Sequence, residues 1–136
     1  MPERPTNGVT PFLTIRGRRG QEALDFYTRA FGAEVTERNL AEDGERLMQA
    51  GLKINGGWLM LSDEFPEWRG HDEPEPKGVG LHLQVDNADS WAERAVAAGA
   101  TITMPVGDQF WGDRYGQLTD PFGHLWSIGS PIKQTE

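Results

Sequence analysis

The chain has no cysteine. That excludes disulfides, thiol nucleophiles and thiolate metal sites together. Long apolar runs are missing too, and the mean hydropathy is −0.58, so no membrane-spanning helix is expected. The opening MPERPTNG holds no apolar core of a signal peptide, and a cytoplasmic location is the expectation. Positive charge is scarce: 13 Lys and Arg stand against 21 Asp and Glu, a net charge of −8. Such a balance opposes binding to nucleic acid or to an anionic membrane, and neither partner is expected. It is compatible with a cationic ligand, although a solvated acidic surface is the simpler reading. The short cluster Arg16-Gly17-Arg18-Arg19-Gly20 is too small to count as a nucleic-acid patch.

What is present is enough for one folded domain of 136 residues, with five Trp among its aromatics. Residues 1–8 are polar and Pro-rich, and read as frayed. Val9–Ile15 reads as a strand. Ala23, Phe26, Tyr27, Ala30 and Phe31 follow helical spacing, so Gln21–Phe31 reads as a helix ended by Gly32. Glu34–Asn39, Leu47–Leu52 and Trp58–Ser62 read as strands, the last two joined at Asn55-Gly56-Gly57. Asp63–Gly78 carries Pro66, Pro74 and Pro76 and reads as a loop. A strand follows at Val79–Val85. The next helix, Ala88–Ala98, is capped by Asp86 or Asn87 and buries Ala88, Trp91, Ala92, Ala95 and Val96. Strands follow at Thr101–Met104, Arg114–Thr119 and His124–Ile128, the last two joined by the turn Asp120-Pro121-Phe122-Gly123. Phe110, Trp111, Tyr115, Phe122 and Trp126 crowd this closing stretch. So much ring area is expected to be buried or to line a cavity.

The order strand–helix–strand–strand–strand therefore occurs twice, at about residues 9–62 and 79–130, split by the loop at 63–78. An offset of 67 lays Ala30–Thr36 on Ala97–Thr103, Gly56 on Gly123 and Met60 on Ser127. An offset of 70 lays Phe12–Ile15 on His82–Val85. The expected fold class is α+β, built from duplicated βαβββ modules within a single domain.

Three stretches, LDFYTRAFGAE at Leu24–Glu34, VDNADSWAERAVAAGA at Val85–Ala100 and DPFGHLWSI at Asp120–Ile128, carry a resemblance to a known family. The chain resembles the vicinal oxygen chelate superfamily of glyoxalases, bleomycin-resistance proteins and extradiol dioxygenases. The wording GDRYGQLTDPFGHLW looks most like its PhnB-like branch. The resemblance implies mixed sheets in two modules curled around a cleft, a homodimer and a small-molecule ligand. In metal-using members, four strands each offer one His, Gln or Glu to a divalent ion. Carried over, those positions fall at Thr10, Met60, Gly80 and Ser127. None of the four suits that role, so no metal and no cofactor are expected.

Alternation along the strands puts Thr10, Phe12, Thr14, Trp58, Met60, His82, Gln84, Leu125 and Ser127 on the cleft side. Leu13, Ile15, Leu59, Leu61, Leu83, Val85, Trp126 and Ile128 then pack under the helices. The candidate ligand-binding residues are Phe12, Trp58, Met60, His82, Gln84, Arg114, Tyr115 and Ser127. His82 is also the candidate catalytic residue; a hydrogen-bonded core histidine is the competing reading. Arg114, placed with Tyr115 at the cleft rim, either holds a carboxylate or phosphonate or pairs with Asp113 or Asp120. His124 reads as a turn residue and His71 as exposed. The expected function is binding of a small organic molecule, with turnover left open. The alternatives are a metal-dependent lyase, isomerase or dioxygenase, and an antibiotic-binding resistance protein.

Overall fold

A computed structural model describes residues 2–133. They form two compact units, one ending at Pro74 and the other starting at Glu75. The first contains β1 (Phe12–Ile15), α1 (Gly20–Phe31), β2 (Glu34–Leu40), β3 (Leu47–Ile54), β4 (Gly57–Asp63) and α2 (Pro66–Arg69). The second contains β5 (Gly80–Gln84), α3 (Ala88–Ala98), β6 (Thr101–Asp108), β7 (Asp113–Thr119) and β8 (Leu125–Pro131). Their sheets run β1-β4-β3-β2 and β5-β8-β7-β6. In each, the first pair is parallel and the others antiparallel. This is the duplicated βαβββ order expected from the repeat. The register agrees as well. Phe12 pairs with Met60, and His82 pairs with Ser127. Those are the partners that offsets of 70 and 67 lay on one another.

Each sheet buries one face under its helix. In the first unit Leu13, Ile15, Leu59 and Leu61 are buried, together with Ala23, Phe26, Tyr27, Ala30 and Phe31 of α1. Phe12, Trp58 and Met60 alternate with them on the open face. In the second unit Leu83, Val85, Trp126 and Ile128 are buried, whereas His82, Gln84 and Leu125 are exposed. Two buried carboxylates pin the ends of these sheets. Asp63 accepts from the amides of Gly20 and Leu47 at 2.8 and 2.7 Å. Asp120 accepts from the amides of Phe122 and His124 and from Trp126 Nε1, at 2.9 to 3.0 Å. Each carboxylate thereby neutralises donors that would otherwise be buried without partners.

Several expectations are corrected. β1 begins at Phe12 rather than Val9, because Pro11 has no N–H to pair; its carbonyl accepts from Met60 N instead. β6 runs on through Pro105 to Asp108. It is an edge strand, where a missing N–H costs no ladder bond. The loop after β4 contains the one-turn helix α2. The buried stripe of α3 is Ala88, Ala92 and Ala95; Trp91 is half-buried and Val96 exposed. Phe110, expected to be buried or to line a cavity, is 97% exposed. Residues 2–8 are held down: Glu3 pairs with Lys53 and Arg4 with Glu37.

Candidate functional site

On the open face of the second sheet, four polar side chains form one chain of hydrogen bonds. Ser127 Oγ lies 2.7 Å from His82 Nδ1, and His82 Nε2 lies 2.8 Å from Gln84 Oε1. Gln84 Nε2 donates to Asp113 Oδ2 over 3.4 Å. The strands dictate this meeting. Ser127 is the register partner of His82 across the parallel β5–β8 pair. Gln84 is one alternation step along β5. Asp113 opens β7, on the far side of β8.

The order of donors places a proton on one nitrogen of His82. An ionised carboxylate only accepts, so Gln84 turns its NH2 toward Asp113 and its oxygen toward His82. That oxygen also only accepts, so His82 carries a proton on Nε2. Nδ1 faces the Ser127 hydroxyl, which can donate to a ring nitrogen or accept from one. Ser127 Oγ keeps lone pairs for a further donor.

Gly129 makes this packing possible. A Cβ there would come within 2.9 Å of Gln84 Oε1 and 3.1 Å of His82 Cε1. Aromatic rings complete the face. Tyr115 stacks on His82 at 5.9 Å between ring centroids and 20° between planes. Trp111, half-exposed, meets Tyr115 edge-on at 5.5 Å. Gln117 donates to the Tyr115 hydroxyl at 3.1 Å.

Of the residues singled out from the sequence, His82, Gln84, Tyr115 and Ser127 come together here. Phe12 and Met60 are neighbours on the open face of the first sheet, with Trp58 two residues along β4. Arg114 does not join Tyr115, because consecutive strand residues face opposite ways. It turns to the helix side and binds Asp89 of α3 through Nε and Nη2, at 2.7 and 3.0 Å. Nη1 reaches Asp108 at 2.7 Å. Its ion pairs are therefore with Asp89 and Asp108 rather than Asp113 or Asp120. The hydrogen bonds Arg114 donates to Asp89, and then to Asp108, raise it above its ordinary value. Arg114 in turn holds Asp89 below the usual carboxylate range. They line a cavity of about 370 Å³ with Asn87, Ser130 and Lys133. The sequence reading missed Asp113 and Gly129; the only available signal was parity on β7 and β8 relative to His82.

The four family metal positions do not fit a divalent ion. Gly80 has no side chain, Met60 offers a soft thioether, and Thr10 and Ser127 offer neutral hydroxyls. Among the described residues no three His, Asp or Glu side chains gather into a metal-holding group. Likewise, no helix is long and apolar enough to cross a membrane.

Residues 11–128 match the model of the Glyoxalase/Bleomycin resistance protein/Dioxygenase superfamily, and the chain belongs to that family. It is 43% identical over 131 residues to the uncharacterized protein Mb0911c of Mycobacterium bovis, covering 93% of this chain and 84% of that one. Protein PA1353 of Pseudomonas aeruginosa superposes with a TM-score of 0.75 at 27% identity, over 93% of this chain and 98% of that one. A PhnB protein from Bacillus cereus shares the fold, with a TM-score of 0.73 at 22% identity over 91% and 99% of the two chains.

Proposed function

We propose that the protein binds a small, ring-bearing polar molecule on the open face of the second sheet, without help from a divalent metal. The observation that carries this reading is the chain Ser127–His82–Gln84–Asp113, laid beside the rings of Tyr115 and Trp111. Both nitrogens of His82 are used within the protein. Its part is then to hold the Ser127 hydroxyl and the Gln84 amide in fixed directions. Ser127 Oγ and the Tyr115 hydroxyl offer the ligand its polar contacts, and the rings offer it a stacking surface. His82 is a positioning residue in this reading; it becomes catalytic only if a bound molecule exchanges a proton with Ser127. Arg114 is left out of the site, since its guanidinium is taken up by Asp89 and Asp108.

The test is a fragment screen in the presence of a chelator, followed by titration of the hits into Ser127→Ala and Tyr115→Phe proteins. Affinity is expected to fall in both. Hits that bind both variants like the wild type would sink the reading.

We also propose a homodimer. An apolar groove of about 460 Å³ between α3 and β6, lined by Ala92, Val96, Ile102, Pro105 and Val106, leaves surface that a second copy can cover. A monomer mass by light scattering at micromolar concentration would contradict it.

A further inference from the structure

The first sheet carries on its own open face a feature that the His82 chain does not explain. Phe12, Met60, Gly51 and Glu37 pair in sequence across β1, β4, β3 and β2, so they form one row. Gly51 leaves room in that row. A Cβ there would come within 3.4 Å of Glu37 Cγ and 2.9 Å of Thr36 Oγ1. The Glu37 side chain lies down in this space and is only 6% exposed.

A carboxylate so far out of water needs donors. Asn39 Nδ2 supplies one at 3.0 Å, and Gln49 another. The charged partner comes from elsewhere. Arg4, in the stretch before β1, binds Glu37 with two arms of its guanidinium, Nε at 2.7 Å and Nη2 at 3.2 Å. The arginine itself is 58% exposed. The residues from Pro2 to Pro11 form no helix or strand. Besides Arg4, Glu3 ties them down by pairing with Lys53 at 2.9 Å, and Lys53 lies 5.3 Å over the Trp58 ring. Ion pairs with an exposed partner are weak. Beside Glu37, Thr36 Oγ1 is buried with no hydrogen-bond partner.

We propose that this face is a binding site for an organic cation of the guanidinium or amidinium class bearing an apolar group. Glu37 is its charged contact, and Arg4 is the built-in competitor that occupies Glu37 in the free protein. The planar fork of Arg4 shows the pose that such a cation takes on a carboxylate. A ring attached to the cation would extend along the row over Gly51 toward Met60 and the half-exposed Phe12. The site lies within the first unit and does not depend on the reading given to His82.

Benzamidine is the probe, titrated calorimetrically into the full chain at neutral pH. Arg4 competes at the roughly millimolar effective concentration of a short tether. Arg4→Ala is therefore expected to bind benzamidine several-fold more tightly than wild type. Adding Glu37→Gln to that variant is expected to cost about tenfold or more, the size of a lost charge-assisted hydrogen bond. Arg4 lies outside every helix and strand, and thermal melting of Arg4→Ala and of the double variant, run beside the titrations, shows that each is folded when its affinity is read. A gain in Arg4→Ala that Glu37→Gln removes supports the proposal. No gain in Arg4→Ala, or a gain that survives Glu37→Gln, overturns it.

Discussion

His82 is held from both sides, and that decides what its loss should do. His82→Ala frees Ser127 and Gln84 to rotate, but it opens no cavity, because the ring lies on an exposed face. Once a ligand is in hand, its affinity should fall by about 1–3 kcal/mol, while the melting temperature stays close to wild type. Trp126→Ala should do the reverse, costing about 3–5 kcal/mol of stability, since that indole is 3% exposed and bonded to Asp120. Titration and thermal melting on the same two variants check both. A His82→Ala protein that binds normally but melts much earlier would make the residue structural. Gly129→Ala is a subtler probe. The new methyl group must push Gln84 or His82 aside, so it should weaken binding without removing any polar group. At this scale the sequence was only partly readable. Parity placed His82, Gln84 and Ser127 on one face, but parity cannot say which nitrogen meets which oxygen. The same parity separates Arg114 from Tyr115, since they are consecutive residues of β7 and face opposite ways.

At the scale of elements, the repeat was the strongest signal. Its two offsets matched first strand to first strand and fourth to fourth, and the structure adds that the parallel pairs Phe12–Met60 and His82–Ser127 are equivalent in the two modules. Boundaries were less readable where one residue decided them. Pro11 shortens β1, while Pro105 fails to end β6 because it sits on an edge. The four-residue α2 is too short to show a helical period. Asp63 gave no warning that it would be buried as a pin between α1 and β3. Gly20 reports on that pin. A Cβ at Gly20 would overlap the Asp63 carboxylate, so Gly20→Ala should cost about 1–3 kcal/mol. Urea unfolding measures it, and a midpoint equal to wild type would show that the end of α1 can shift freely.

For the whole molecule, carboxylates held by donors set the acid limit. Backbone amides of Gly17 and Glu73 hold Glu64 below its ordinary value. Arg114 does the same for Asp89, and Arg46 lowers Glu67 to about 2. A group whose folded value is depressed adds stability above its unfolded value and loses it as pH falls through the folded one. Urea midpoints should therefore hold level from pH 7 to about 5 and decline toward pH 2. A midpoint that rises on acidification would contradict those contacts. Two sheets of the same topology each present an open face; Met60, Gly80 and Ser127 on them offer a divalent ion no charged or imidazole donor, and Thr10, expected beside them, lies before β1. We propose that ligand recognition rests on the hydrogen-bonded chain on the second sheet. Amide chemical-shift mapping during a small-molecule screen, run with a chelator present, tests it most directly. The account predicts that shifts converge on His82, Gln84, Tyr115, Ser127 and Gly129. Hits that appear only after a divalent metal is added, or that leave these five residues unmoved, would contradict it.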